Sequence, residues 1–102
     1  MELRIAQSAL GDLENIQTYY AEQGVPEIGA QFVLAILGHA QMLADRPDAG
    51  RVVPEFNQTP IRELIHPPFR VVYLRQAPVV TLIRVWRSER VLEMPEGPIA
   101  GP

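Results

Sequence analysis

The sequence predicts an α+β domain of order β-α-α-β-β-β, with an antiparallel helical hairpin covering one face of a three- to four-stranded, mainly antiparallel sheet. Three observations carry this expectation. Two apolar stripes of helical spacing occupy the first half of the chain, and three strand-like runs with short proline-bearing links occupy the second. The length of 102 residues leaves room for one core only. The domain is expected over residues 1–93, with 94–102 as a flexible tail rich in Pro and Gly.

Residues 2–6 alternate enough for a short strand. Ser8 then offers a helix N-cap, and Asp12 is expected in the first turn, where the helix dipole favours a carboxylate. Leu10, Leu13, Ile16 and Tyr20 recur at helical spacing and Gly24 supplies a left-handed stop, so the first helix is expected over about residues 8–23. Pro26 and Glu27 suit the first turn of a second helix, striped by Ile28, Phe32, Ile36, Ala40 and Leu43. The run Asp45-Arg46-Pro47-Asp48-Ala49-Gly50 ends it, and residues 51–60 read as an irregular connection. Strands follow over 61–66, 69–75 and 79–87, joined by His66-Pro67-Pro68 and Gln76-Ala77-Pro78. Alternation puts Arg70, Val72 and Leu74 on one face of the middle strand, opposite Phe69, Val71 and Tyr73. It likewise puts Arg84 and Trp86 on one face with Val80 and Leu82.

The chain has no cysteine, which excludes disulfides, thiolate metal sites and cysteine nucleophiles. No N-terminal signal pattern and no apolar run approaching a membrane span is evident, so a cytoplasmic protein is expected, without membrane contact. Within a net charge of −3, residues 61–90 carry six Arg against two Glu, and lysine is absent throughout. The guanidinium fork binds phosphate or carboxylate in two-point fashion, so such a block suggests an anionic partner, nucleic acid or acidic protein. A GC-rich genome would also account for Arg in place of Lys. His39 and His66 form no metal spacing, and neither a phosphate-binding Gly loop nor a Ser-His-Asp arrangement occurs. No cofactor or metal is expected.

Several blocks in order resemble the RelE/ParE toxin superfamily of type II toxin–antitoxin systems. These are the amphipathic helix from Ala9 ending in Tyr19-Tyr20, the break Pro47-Asp48-Ala49-Gly50-Arg51, and the strand opening Ile61-Arg62-Glu63-Leu64. Phe69-Arg70-Val71-Val72-Tyr73, Val79 to Trp86 and the final Arg87-Ser88-Glu89-Arg90 complete the match over roughly 90 residues. The superfamily holds two activities on one fold, and fold alone does not choose between them. RelE-like members resemble ribonucleases that cut mRNA on the ribosome, whereas ParE-like members act on DNA gyrase. Both imply a cognate antitoxin with a DNA-binding N-terminus, commonly in an assembly of two toxins with two antitoxins. No direct DNA binding by the toxin alone is implied.

A metal-free ribonuclease needs a base, an acid and cations around the phosphate. Arg70 matches the third-strand Arg of that branch, and Arg87 and Arg90 could join it. Arg87 stands where many relatives carry His, yet a guanidinium is a poor proton shuttle. No Tyr follows Arg90, the nearest late position being Met94, and the RelE-type lysines have no counterpart near Arg62 and Glu63. The residues therefore favour the ParE-like branch, a binding toxin with no confident catalytic residue. The alternatives are the endonuclease, or an inactive homologue kept in an autoregulatory complex. Arg70 also has a structural reading, pairing with Glu63 across the strands. Candidate contacts to target or antitoxin are Arg62, Arg70, Arg84, Trp86, Arg87 and Arg90.

Overall fold

A computed structural model describes residues 1–88 of the chain, so the tail expected over 94–102, Arg90 and Met94 lie outside the described residues. The elements are β1 (Glu2–Ile5), α1 (Gln7–Glu22), α2 (Pro26–Ala40) with a 3₁₀ turn (Gln41–Ala44), β2 (Arg51–Val52), β3 (Ile61–His66), β4 (Phe69–Gln76) and β5 (Val79–Arg87). The α+β expectation holds, with one strand more than expected: the sheet has five, in the order β1-β5-β4-β3-β2. The addition is β2, inside the segment read as irregular, where Arg51 and Val52 pair with Glu63 and Arg62. Two residues are too few for a period-2 pattern to announce itself. All neighbours are antiparallel except β1 and β5, which run parallel across the helical hairpin.

Gly24 takes the left-handed conformation (φ 81°) that closes α1. The start of α1 differs from expectation. Ala6 is the N-cap and no side chain caps it; Ser8 is already inside the helix, and its hydroxyl donates to the Ile83 carbonyl instead. Asp12 lies beyond the first turn. Both side chains serve the sheet rather than the helix end.

Two cores flank the sheet. Ala9, Leu13 and Ile16 of α1 and Ile36, Ala40 and Leu43 of the second helical run meet Leu64, Phe69, Val71, Tyr73, Val80, Leu82 and Val85. On the other face, Val53 and the partly buried Phe56 from the connection cover Ile61, Val72, Leu74, Ile83 and Trp86. The faces of β4 are those that alternation predicts. Those of β5 are not, because Val72 pairs with Arg84 while Tyr73 pairs with Leu82, leaving Ile83 as an extra residue. This β-bulge resets the alternation, so Arg84 and Trp86 lie opposite Val80 and Leu82.

The helical run Pro26–Ala44 spans 19 residues at a mean hydropathy of 1.2, long and apolar enough by length and composition to cross a membrane. That corrects the expectation that no run approaches such a span. Here one stripe of it packs on the sheet, as a covering helix of this fold class must.

Gly50 explains the break after the helices. A Cβ there would lie 2.5 Å from the Glu63 carbonyl oxygen and 2.7 Å from the Tyr73 ring and hydroxyl. The bare backbone lets the Gly50 N–H donate to the Tyr73 hydroxyl at 2.9 Å, which itself donates to the Pro47 carbonyl at 2.8 Å. Gly50→Ala should cost about 2 kcal/mol or more by forcing this contact apart. Tyr73→Phe should cost about 1–3 kcal/mol by stranding its two polar partners. Urea unfolding measures both, and unchanged midpoints would show that the approach is not tight.

Candidate functional site

The site grows from an unfinished strand edge. Strand β1 ends at Ile5, opposite Leu82, while β5 continues to Arg87. The start of α1 supplies the partners that β1 does not. The Ala6 N–H donates to the Leu82 carbonyl, the Ser8 hydroxyl to the Ile83 carbonyl, and the Val85 N–H to Asp12 Oδ2 at 2.8 Å. Asp12 is buried and also takes both arms of Arg84, Nε at 2.8 Å and Nη2 at 2.9 Å. The Arg84 guanidinium in turn lies 4.3 Å from the Trp86 ring centroid. One carboxylate thus fixes helix, strand edge, arginine and tryptophan together.

Beside this lock lies a groove of about 390 Å³, lined by Asp12, Asn15, Ile16, Tyr19, Tyr20, Phe69, Val85, Trp86 and Arg87. Three of these, Tyr19, Tyr20 and Phe69, belong to an aromatic ladder that is completed by Phe32: Tyr19 meets Tyr20 at 5.0 Å between centroids, Tyr20 meets Phe32 at 5.4 Å, and Phe32 meets Phe69 at 5.1 Å. The Arg87 guanidinium stands 5.8 Å from the Phe69 centroid, and its Nη1 reaches the Tyr20 hydroxyl at 3.3 Å. Aromatic walls with Asn15, Arg87 and Asp12 at the polar margin suit a partner's apolar side chain flanked by a polar group. Tyr19 is the exposed member of its pair and Tyr20 the partly buried one, as the helical stripe implies.

Of the expected contact residues, the fold brings Trp86 and Arg87 to the groove and sets Arg84 behind it. Arg62 and Arg70 lie elsewhere. Arg62 donates to the Gly50 carbonyl at 2.9 Å and sits 3.7 Å from Asp48. Arg70 is only 7% exposed, and each of its guanidinium nitrogens is engaged: Nε with Glu63 at 2.6 Å, Nη1 and Nη2 with Glu55 at 2.8 and 3.0 Å. The cross-strand partner Glu63 follows from alternation. Glu55 does not, because it comes from the irregular connection, and only a surplus of Arg over acid in the strands hinted at it. The Arg70 forks hold the Glu55 carboxyl down at about 2, against an ordinary 4.5. Arg75 joins Asp48 at 2.6 Å. Four arginines of the basic block therefore meet acids of this same chain.

The two histidines, unrelated in sequence, meet in space: His39 Nδ1 and His66 Nδ1 are 3.0 Å apart. Burial pushes the His66 imidazole below its ordinary range, and His39 adds to the effect.

A family model described as the ParE toxin of the type II toxin–antitoxin system parDE matches residues 3–92. The chain belongs to the ParE toxin family. The ParE-like branch of the superfamily is therefore the right one, and with it the assignment to toxins of type II systems. A solved structure titled "Chromosomal ParDE TA system from P. aeruginosa" has a similar fold, with a TM-score of 0.74 at 24% identity, over 87% of this chain and 97% of that one. No curated protein matches the sequence. In this ParE-family chain the hairpin and sheet carry the family fold, and the groove sits where α1 meets the end of β5.

Asp12→Ala strands the Val85 N–H and the Arg84 guanidinium, so stability should fall by about 2–3 kcal/mol in urea unfolding. A loss below a few tenths would show that water replaces the carboxylate without cost. Glu55 gives a pH signature. Its folded pKa is depressed, so its contribution is complete above about 4.5 and is lost as pH falls toward about 2. Stability should decline across that window, and Glu55→Gln should flatten part of the decline.

Proposed function

We propose that this chain is the toxin of a type II toxin–antitoxin module that acts by binding and inhibiting DNA gyrase, and that a cognate antitoxin neutralises it. The observation that carries the reading is the state of Arg70. A nuclease of the RelE kind would use this cation on the scissile phosphate, but Glu63 and Glu55 already occupy all three of its nitrogens. Releasing it would leave Glu63, 1% exposed, with one fewer counter-charge in the sheet. Binding, by contrast, needs only a shaped surface, and the groove with Tyr19, Trp86 and Arg87 supplies one.

Antitoxin capture is supported by apolar surface that the domain does not cover. Leu34 is 71% exposed, Tyr19 52% and Ile65 46%, with Leu10 and Ile28 also on the surface. A partner segment could cover such surface as a helix in a groove or as an added strand. An assembly of two toxins with two antitoxins is the stoichiometry we favour, with the antitoxin and not the toxin contacting DNA.

Purified protein at micromolar concentration should stop supercoiling by purified gyrase. Tyr19→Ala and Arg87→Glu should each weaken the effect by about tenfold or more, as loss of a central contact does. Unaffected supercoiling, together with cleavage of a ribosome-bound message that Arg70→Ala abolishes, would transfer the protein to the endonuclease reading. Unchanged growth on expression without the antitoxin would mark it as an inactive homologue.

A further inference from the structure

His39 lies on α2 and His66 is the last residue of β3, yet their Nδ1 atoms converge to 3.0 Å, with ring centroids 5.1 Å apart and planes inclined at 50°. Two imidazoles meeting through the same nitrogen have few chemical meanings. In the absence of an ion, one Nδ1 must carry a hydrogen and donate it to the lone pair of the other. The second meaning is a shared cation. With metal–nitrogen bonds of roughly 2.0–2.1 Å and ligand angles between about 90° and 110°, two imidazole nitrogens sit about 2.9–3.4 Å apart. The observed separation falls inside that interval.

We propose that His39 and His66 form a two-histidine site for a borderline divalent transition metal, the class of zinc, nickel and copper(II). Imidazole selects these ions over magnesium and calcium, which take oxygen ligands. Binding uses the lone pairs of both Nδ1 atoms. The hydrogen held on one Nδ1 is given up and Nε2 of that ring is protonated, so both rings bind as neutral Nε2–H tautomers. No cluster of three or more His, Cys, Asp or Glu able to hold an ion occurs among the described residues, so the other coordination positions fall to water and the site is open and exchangeable. The ion would tie α2 to the end of β3 and so would stabilise the folded chain specifically.

The test is calorimetric titration of the full, tag-free chain with zinc chloride at neutral pH, alongside thermal unfolding with and without zinc. One ion per chain should bind with a dissociation constant in the micromolar range, nickel and copper(II) should follow the usual affinity order, and zinc should raise the melting temperature. His39→Ala and His66→Ala should each weaken zinc by about tenfold or more and remove the thermal shift. His39→Asn and His66→Asn repeat the test where alanine alters the circular dichroism. Zinc affinity unchanged in the double variant, or no binding below millimolar zinc, would overturn the proposal and leave the pair as an N–H···N hydrogen bond.

Discussion

The Asp12 carboxylate holds the part of β5 that β1 leaves bare. It accepts the Val85 N–H and both arms of Arg84, next to bonds from Ala6 and Ser8 to the two preceding carbonyls. Those contacts fix where α1 lies on the sheet. The position of α1 then decides where Tyr19 and Tyr20 stand relative to Phe69 and Trp86, and hence that a groove exists between them. The bulge at Ile83 is the second half of the same arrangement. It turns Arg84 and Trp86 away from the helical core, so that Arg84 can stack on Trp86 while reaching round the strand edge to Asp12.

The charge pattern takes on a different meaning once the chain is folded. In sequence, an Arg-rich second half beside an acidic first half suggests an anionic partner. In the structure most of this block answers acids earlier in the chain: Arg84 meets Asp12, Arg75 and Arg62 approach Asp48, and Arg70 is clamped by Glu55 together with Glu63 of its own block. The asymmetry along the chain is largely internal complementarity. The Arg70 clamp is also the physical reason for preferring a binding toxin over a nuclease within a superfamily whose fold serves both.

The hairpin and the three long strands were legible because their burial follows simple periods, 3.6 for Leu13, Ile16 and Tyr20 and 2 for Phe69, Val71 and Tyr73. What was illegible depends on contacts between distant segments. Ser8 and Asp12 have the composition of a helix start, but strand-edge groups far along the chain claim them. The bulge at Ile83 leaves no mark in a run of β-branched residues, and the two-residue β2 is shorter than any pattern. The Pro-x-x-Gly break was visible as a motif, and only the crowding against Tyr73 and Glu63 shows why glycine must stand at position 50. Of the groove's lining, Trp86 and Arg87 are candidates that the sequence itself offers. The groove around them is not legible there, since it needs α1 and β5 placed side by side.

Trp86 is the sole tryptophan of the chain and lines the groove, which makes it an internal reporter of the surface on which the binding account rests. The most direct measurement is the fluorine resonance of 5-fluorotryptophan incorporated at Trp86, followed while purified gyrase or a candidate cognate antitoxin is added. The single resonance should shift or broaden at stoichiometric partner. A resonance unmoved by both, while size-exclusion chromatography records a complex, would contradict binding at this groove.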